Sequence, residues 1–199
     1  MATDQLDQIR RALTLDSAAS SDFDLNPETV LPPDRVLRPA GVLLALVPGS
    51  AGYDVILTKR SSALRHHPGQ IAFPGGKLDP GDTDVIAAAL REAEEEVGLP
   101  RQQVDVIGTL PSHETVTNFI ITPVIGLVRG TFEPVAEPGE VAEIFAVPLS
   151  HITDPTRFST QSRRWRGSRR NYFTVPFGPY YIWGATARIL RALADRMSE

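Results

Sequence analysis

Residues 84–97 constrain the fold more than any other stretch of this chain, because their pattern predicts one amphipathic helix with a defined start and end. At about 100° per residue, the apolar side chains share a single arc of that helix. They are Ile86, Ala89, Leu90, Ala93 and Val97. Asp82, Thr83 or Asp84 can cap the N-terminus, and Gly98 stops the helix. We expect the apolar arc to pack on a β-sheet.

Strand patterns lie on both sides of this helix. The predicted strands are 40–47, 53–58, 104–110, 119–128 and 141–147. The first two are joined by Pro-Gly-Ser-Ala-Gly, which is typical of a hairpin turn. We predict a surface segment at 16–39, a long loop at 59–81, and further helices at 4–14 and 183–196. This order favours an α/β fold in which a mixed β-sheet lies between helical layers.

The composition is that of one globular domain with an N-terminal extension. The chain has 199 residues, of which 22% are charged, and a net charge of −4. We expect residues 1–39 to form a helix and a connecting segment, and residues 40–199 to form the main domain. The negative charge argues against a nucleic-acid partner. The sequence has no cysteine, no signal-peptide pattern and no apolar run of membrane-spanning length, so we expect a cytoplasmic protein without a membrane partner.

Three glutamates on the predicted helix converge on one edge. Glu92 and Glu96 are one turn apart, Glu95 lies within reach of both, and Glu94 points away. Like charges at this spacing cost a helix roughly a few tenths of a kcal/mol per pair. A divalent cation would offset the repulsion, and oxygen ligands favour Mg²⁺ or Mn²⁺ over Zn²⁺. On the helix alone, a solvated acidic face with Arg91 paired to Glu95 is an equal alternative.

Residues 91–99 read Arg-Glu-Ala-Glu-Glu-Glu-Val-Gly-Leu. They resemble the second half of the Nudix hydrolase signature, Arg-Glu-aliphatic-any-Glu-Glu-any-Gly-aliphatic. The first half departs from the family pattern, because the stretch 76–99 is one residue longer than the common form. The early glutamate of the family has no clear counterpart among Asp82, Thr83 and Asp84. That acid is usually structural in the family, so its loss bears on the geometry of the loop more than on the chemistry.

A second motif precedes the signature and resembles that of coenzyme A diphosphatases. Its positions are Ile56, Leu57, Thr58, Lys59, Arg60, Ser61, Arg65, Gly69, Phe73, Pro74, Gly75 and Gly76. Residues 180–187 also resemble the C-terminal segment of the coenzyme A diphosphatases. The resemblance implies a Nudix-type α/β/α sandwich with a mixed β-sheet. It also implies metal-dependent hydrolysis of the diphosphate of coenzyme A, or of an acyl or oxidised derivative, to 4′-phosphopantetheine and adenosine 3′,5′-bisphosphate.

The resemblance also implies roles for the helix residues. Glu92, Glu95 and Glu96 hold Mg²⁺ or Mn²⁺ and are therefore catalytic, because the cations neutralise the diphosphate and activate water. Arg91 supports the site by orienting a glutamate, and a simple surface ion pair is the alternative role.

Substrate-binding residues are predicted in the motif that precedes the helix. Arg60 and Arg65 can clamp phosphate oxygens with their planar guanidinium groups, and the alternative is a pair of surface arginines. Gly75 and Gly76 can let the backbone approach a metal or a phosphate closely.

The general base is placed at Glu140, just before the strand predicted at 141–147, where a loop can reach the metal ions. Glu137 and Glu143 are nearby rivals for this role. His113 lies beside an acid, but a loop histidine is more often without a catalytic role.

Five arginines lie between residues 163 and 170 and flank Trp165. Basic residues interleaved with aromatic residues can stack on adenine and bind phosphate, so a contact to the 3′-phosphate of coenzyme A is one interpretation. A solvated basic hairpin is the favoured alternative, because the chain as a whole is negative.

Two other functions stay open on the sequence. The first is a Nudix hydrolase of ADP-ribose or another nucleoside diphosphate derivative, against which residues 57–76 argue. The second is a non-catalytic nucleotide sensor, although all three helix glutamates are present. The preferred coenzyme A derivative and the number of metal ions also stay open, and so does the oligomeric state, with a homodimer as one outcome.

Overall fold

The computed structural model describes residues 2–16, 18–165 and 167–199, and of Trp165 and Ser168 it describes the backbone alone. The helices are α1 (Ala2–Thr14), α2 (Val85–Val97), α3 (Leu149–Ile152) and α4 (Gly184–Met197). The strands are β1 (Ser20–Ser21), β2 (Arg38–Gly49), β3 (Gly52–Arg60), β4 (Ile71–Ala72), β5 (Gly75–Lys77), β6 (Val104–Thr109), β7 (His113–Glu114), β8 (Phe119–Val128), β9 (Val141–Pro148), β10 (Ser159–Trp165) and β11 (Ser168–Thr174). Short 3₁₀ turns cover Arg101–Gln103 and Pro155–Arg157.

Over the described residues, β1 to β9 form one mixed sheet, and β10 and β11 form a separate antiparallel hairpin. The long strand β2 pairs in parallel with β8 and antiparallel with β3. The β2–β3 hairpin turns between Gly49 and Gly52, as its sequence predicts. Strand β9 pairs with the other edge of β3, and this register places Arg60 opposite Val141. The end of β3 therefore lies beside the residues that precede β9.

Helices cover both faces of the sheet. Neighbouring residues of β2 point to opposite faces, so that Leu43 and Ala45 pack in the apolar cluster that includes α2. Leu44 and Leu46 pack on the other side, in the cluster that includes buried residues of α1 and α4. The predicted α/β/α sandwich with a mixed β-sheet is confirmed. Among the described residues, no helix is long and apolar enough to cross a membrane.

Local sequence defines both ends of α2 and its distance from the sheet. Of the three candidate caps, Asp84 takes the position, since its Oδ1 accepts a hydrogen bond from the backbone N–H of Ala87 at 2.8 Å. Gly98 ends the helix with φ of 71°, a left-handed conformation that glycine adopts readily. Below the helix, a Cβ on Gly41 would lie 2.0 Å from the carbonyl oxygen of Val85. The absence of a side chain at Gly41 thus brings the N-terminal turn of α2 close to β2.

Two segments predicted as irregular contain short strands. In the segment 16–39, β1 pairs in parallel with β7. His113 of β7 is fully buried, with Nδ1 at 2.9 Å from Ser20 Oγ and Nε2 at 3.2 Å from Asp22 Oδ1. His113 therefore lies in a strand rather than in a loop, and its side chain joins the N-terminal segment to the sheet. The loop predicted at 59–81 contains β4 and β5, which pair with β3 and β2.

The arginine-rich segment forms the β10–β11 hairpin. Arg163 and Arg164 lie on β10, and Arg169 and Arg170 lie on β11. Arg166, also predicted to belong to this basic group, lies outside the described residues.

Candidate active site

Three carboxylates meet where α2 passes the end of β3. Oxygen atoms of Glu92, Glu96 and Glu140 all lie within 4.8 Å of one another. Glu92 and Glu96 stack one turn apart on α2, as the helix pattern predicts. Glu140 comes from the loop before β9, so residues almost 50 positions apart in sequence contribute to one acidic cluster.

Backbone hydrogen bonds hold Glu140 in this place. Its carbonyl oxygen accepts a hydrogen bond from Ser61 N at 2.7 Å, which fixes it beside the end of β3. Its own N–H donates to the carbonyl oxygen of Glu137 at 3.1 Å, and Glu137 N donates to the carbonyl oxygen of Glu96 at 3.1 Å. The loop is therefore tied both to β3 and to the last turn of α2. The rival residues Glu137 and Glu143 are not members of the acidic cluster.

Glu96 is the most enclosed member of the acidic cluster, with 4% of its surface exposed. Its Oε2 accepts a hydrogen bond from the backbone N–H of Gly75 at 3.1 Å. Burial is the main reason that the pKa of Glu96 is raised from 4.5 to about 7, and the negative charges of Glu92 and Glu140 add to the effect. The Gly75 hydrogen bond and the positive charge of Arg60 act in the opposite sense.

Glu92 is partly buried, and desolvation by burial is the main cause of its raised pKa, with the charges of Glu95 and Glu140 adding to it. The ion pair with Arg91 lowers the same pKa. Two of the clustered carboxyl groups thus sit where negative charge is disfavoured without a counter-charge.

The glycines before α2 position the carboxylates directly. A Cβ on Gly76 would lie 2.2 Å from Glu92 Oε1 and 2.5 Å from its Cδ. Gly75 has φ of 152° and would clash with the carbonyl oxygen of Gly41 at 2.4 Å if it carried a Cβ. Neither position has room for a side chain. The backbone of this pair therefore lies close to Glu92 and Glu96, and its predicted approach to a metal or a phosphate stays a prediction.

Arg91 is held by a carboxylate that the sequence did not identify. Its Nε and one terminal nitrogen each lie 3.0 Å from an oxygen of Asp82, which gives a two-point ion pair. This pair is the main reason that the pKa of Asp82 is lowered. The other terminal nitrogen of Arg91 lies 3.1 Å from Glu92 Oε1 and 2.9 Å from Glu95 Oε2. Arg91 thus contacts Glu92 of the acidic cluster and also Glu95, its partner in the alternative surface ion pair.

Among Asp82, Thr83 and Asp84, Asp82 is the residue whose carboxylate pairs with Arg91. Its Oδ2 also accepts a hydrogen bond from the backbone N–H of Asp79 at 2.9 Å, which closes the loop before α2. Asp82 thus ties the loop before α2 to Arg91.

The remaining predicted site residues lie at the margin of the acidic cluster or away from it. The side chain of Glu95 is 58% exposed and pairs with Arg91, so the structure does not bring it into the cluster. Arg60 is partly buried at the end of β3, close enough to lower the pKa of Glu96. Arg65 is exposed in the loop between β3 and β4. The structure therefore brings Arg60 to the carboxylates and leaves Arg65 in solvent.

Comparisons with known proteins agree with this fold. A model of the NUDIX domain matches residues 37–166, well over half of the chain. The Uncharacterized Nudix hydrolase NudL of Enterobacter sp. (strain 638) is 43% identical over 161 residues, covering 79% of this chain and 81% of the relative. The protein of the same description from Escherichia coli O7:K1 (strain IAI39 / ExPEC) is 40% identical over 188 residues, covering 92% and 95%.

One solved structure shows the same fold over most of the chain. The MutT/nudix family protein from Enterococcus faecalis has a TM-score of 0.51 and 14% identity, and the match covers 86% of this chain and 66% of that chain. The chain belongs to the Nudix family, and it is a Nudix hydrolase. Enzymes of this family generally use divalent metal ions, in keeping with the acidic cluster.

Proposed function

We propose that this Nudix hydrolase cleaves the diphosphate of coenzyme A, or of an acyl or oxidised derivative, to 4′-phosphopantetheine and adenosine 3′,5′-bisphosphate. The observation that carries the proposal is the convergence of Glu92, Glu96 and Glu140 beside the end of β3. The motif that resembles the coenzyme A diphosphatases runs through this same strand end. The acidic cluster supports the chemistry, and the motif supports the substrate.

The donor set suits a hard divalent cation. It offers only carboxylate oxygens, which Mg²⁺ and Mn²⁺ favour over softer ligands. The raised pKa values of Glu92 and Glu96 indicate two carboxyl groups whose burial outweighs the nearby charges of Arg91 and Arg60, and a cation between them would offset that burial. When bound, such an ion supplies positive charge that offsets the diphosphate and makes water a stronger acid.

We assign the reaction steps to the side chains as follows. Glu92 and Glu96, which are backed by Gly76 and Gly75, hold the cation in a fixed position. Glu140 is the exposed member of the acidic cluster, so it is placed to take a proton from water. The water oxygen then attacks one phosphorus atom, the bridging P–O bond breaks, and the second phosphate leaves with the electron pair.

Arginine side chains are proposed to bind the diphosphate during this reaction. Arg60 borders the carboxylates and can contact phosphate oxygens directly. Arg65 lies in a solvent-exposed loop, from which its long side chain can reach a bound substrate. Glu95 stays a proposed metal ligand on the strength of the signature, and it would have to leave its ion pair with Arg91 to join the acidic cluster.

Product analysis tests this function. The purified protein is incubated with Mg²⁺ or Mn²⁺ and, in parallel, with coenzyme A, acetyl-coenzyme A or ADP-ribose, with a chelator as the control. We expect metal-dependent release of adenosine 3′,5′-bisphosphate from a coenzyme A substrate and slow cleavage of ADP-ribose. Rapid cleavage of ADP-ribose with coenzyme A intact would keep the glutamate chemistry and refute the substrate assignment.

A further inference from the structure

The β10–β11 hairpin is strongly basic in an otherwise acidic chain. Residues 159–174 contain five arginines and no aspartate or glutamate. The chain carries a net charge of −4, so the residues outside this hairpin carry −9. Such a separation of charge concentrates a positive potential on one small element, which favours the approach of anions there.

The register of the hairpin places like charges opposite each other. Arg163 pairs with Arg170, and Arg164 pairs with Arg169. Like charges directly across two strands are destabilising. Neighbouring strand residues point to opposite faces, so Arg163 and Arg170 share one face, and Arg164 and Arg169 share the other.

Among the described residues, the face of Arg163 carries a group of aromatic rings next to its arginine. The guanidinium carbon of Arg163 lies 4.7 Å from the ring centre of Trp183, and the ring of Tyr172 meets Trp183 edge-on at 5.2 Å. Tyr181 is 46% exposed, with its hydroxyl 3.3 Å from that of Tyr172. We call Arg163, Arg170, Tyr172, Tyr181 and Trp183 the arginine–aromatic face. It combines stacking surfaces with donors for phosphate.

The arginine–aromatic face adjoins the active site through α4 and the loop before β4. Trp183 directly precedes Gly184, and a Cβ on Gly184 would lie 3.5 Å from Gln70 Nε2. The carbonyl oxygen of Gln70 accepts a hydrogen bond from the backbone N–H of Arg60 at 3.0 Å. Arg60 borders the acidic cluster. Arg60, Gln70 and Gly184 therefore connect the acidic cluster to Trp183 through successive contacts.

We propose that the arginine–aromatic face binds the nucleoside end of the substrate. The purine ring stacks on the aromatic side chains, and a phosphate monoester on the ribose accepts hydrogen bonds from Arg163, with Arg170 adding positive charge. This inference rests on the proposed function, in which the diphosphate lies at the acidic cluster. The hairpin would thus select a nucleotide that carries one more phosphate in addition to the diphosphate.

Binding of product-like nucleotides tests the proposal without turnover. The affinity of the protein, saturated with Mg²⁺, is measured by calorimetry for adenosine 3′,5′-bisphosphate and for adenosine 5′-monophosphate. Charge-assisted hydrogen bonds predict a preference of about tenfold to a hundredfold for the bisphosphate. Arg163→Gln should abolish most of this preference. Arg164→Gln is the matched control, since it removes the same charge from the same strand on the opposite face, and it should retain the preference.

Each outcome decides between defined alternatives. If both variants lost the preference for the bisphosphate equally, the overall positive charge of the hairpin would be responsible. That result would overturn the assignment to one face. The proposal would also be overturned if the wild-type protein bound the bisphosphate and the monophosphate equally well. The same holds if inorganic phosphate displaced the bisphosphate as effectively as the bisphosphate displaces itself. Tighter binding of single-stranded RNA than of the bisphosphate, through the same arginine, would identify a nucleic-acid site instead. Circular dichroism and melting temperature check that both variants fold.

The outcome is separable from that of the proposed function. If coenzyme A is not cleaved but the bisphosphate binds with a dependence on Arg163, the proposed reaction fails and the nucleotide site stands. If coenzyme A is cleaved with the same KM by the wild-type, Arg163→Gln and Arg164→Gln proteins, the reaction stands and this inference fails.

Discussion

The buried carboxyl group of Glu96 should make the stability of the metal-free protein depend on pH. Its pKa is about 7 in the folded protein and 4.5 as the ordinary value. Between these values the folded protein keeps a proton that the unfolded chain has released. The contribution of the protonated Glu96 carboxyl group to the free energy of unfolding is therefore fully present below about pH 4.5, and it is lost as the pH rises through about 7.

The size of this effect follows from the pKa difference. A separation of about 2.5 pKa units corresponds to about 3 kcal/mol at about 1.4 kcal/mol per unit, and most of it falls between pH 5 and pH 8. For a chain of this length, that loss lowers the melting temperature by roughly 6–12 °C. The lowered pKa of Asp82 acts in a more acidic range, so it does not obscure this window.

Calorimetric melting in the presence of a chelator measures this difference. The wild-type protein should melt at a lower temperature at pH 8 than at pH 5, and Glu96→Gln should remove most of the pH dependence. The two proteins share all their histidines, so the difference between their pH slopes reports Glu96 together with its interaction with Glu92. Addition of Mg²⁺ at pH 8 should stabilise the wild-type protein more than the variant. Identical pH slopes in the two metal-free proteins would refute the reasoning.

Two further substitutions test how the site is positioned. Gly76→Ala places a methyl group 2.2 Å from the Oε1 position of Glu92, so turnover should fall by at least about tenfold while far-UV circular dichroism stays unchanged. Gly81→Ala is its control, because nothing lies within 4 Å of the added Cβ, and wild-type turnover by Gly76→Ala would contradict the steric argument. Asp82→Asn breaks the two-point ion pair with Arg91 and should lower the free energy of unfolding by about 1–3 kcal/mol, measured by urea denaturation. Unchanged stability would exclude a structural role for that pair.

Features set by local sequence were predictable. Helix α2 begins and ends within one residue of its predicted bounds, because its cap at Asp84 and its stop at Gly98 act through neighbouring backbone groups. The β2–β3 hairpin follows for the same reason. Helical periodicity also places Glu92 and Glu96 together, and the position of Glu140 before a strand indicates a residue able to reach them.

Features set by distant contacts were not predictable from local pattern. The pairing of Asp82 with Arg91 depends on how the loop before α2 folds, which helical or strand periodicity does not indicate. The burial of His113 depends on Ser20, which is 93 residues away along the chain. Periodicity alone also groups Glu95 with the other acids, whereas in the structure Arg91 one turn earlier takes its carboxylate.

The most direct test of the central claim is the rate at which the wild-type and Glu96→Gln proteins release adenosine 3′,5′-bisphosphate from coenzyme A, with Mg²⁺ and with a chelator. We predict metal-dependent release by the wild-type protein and a rate at least about 100-fold lower for the folded variant, because the substitution removes a charge from the metal site. Release that is independent of metal, or a wild-type rate in the folded Glu96→Gln protein, would contradict the assignment of the acidic cluster as the catalytic centre.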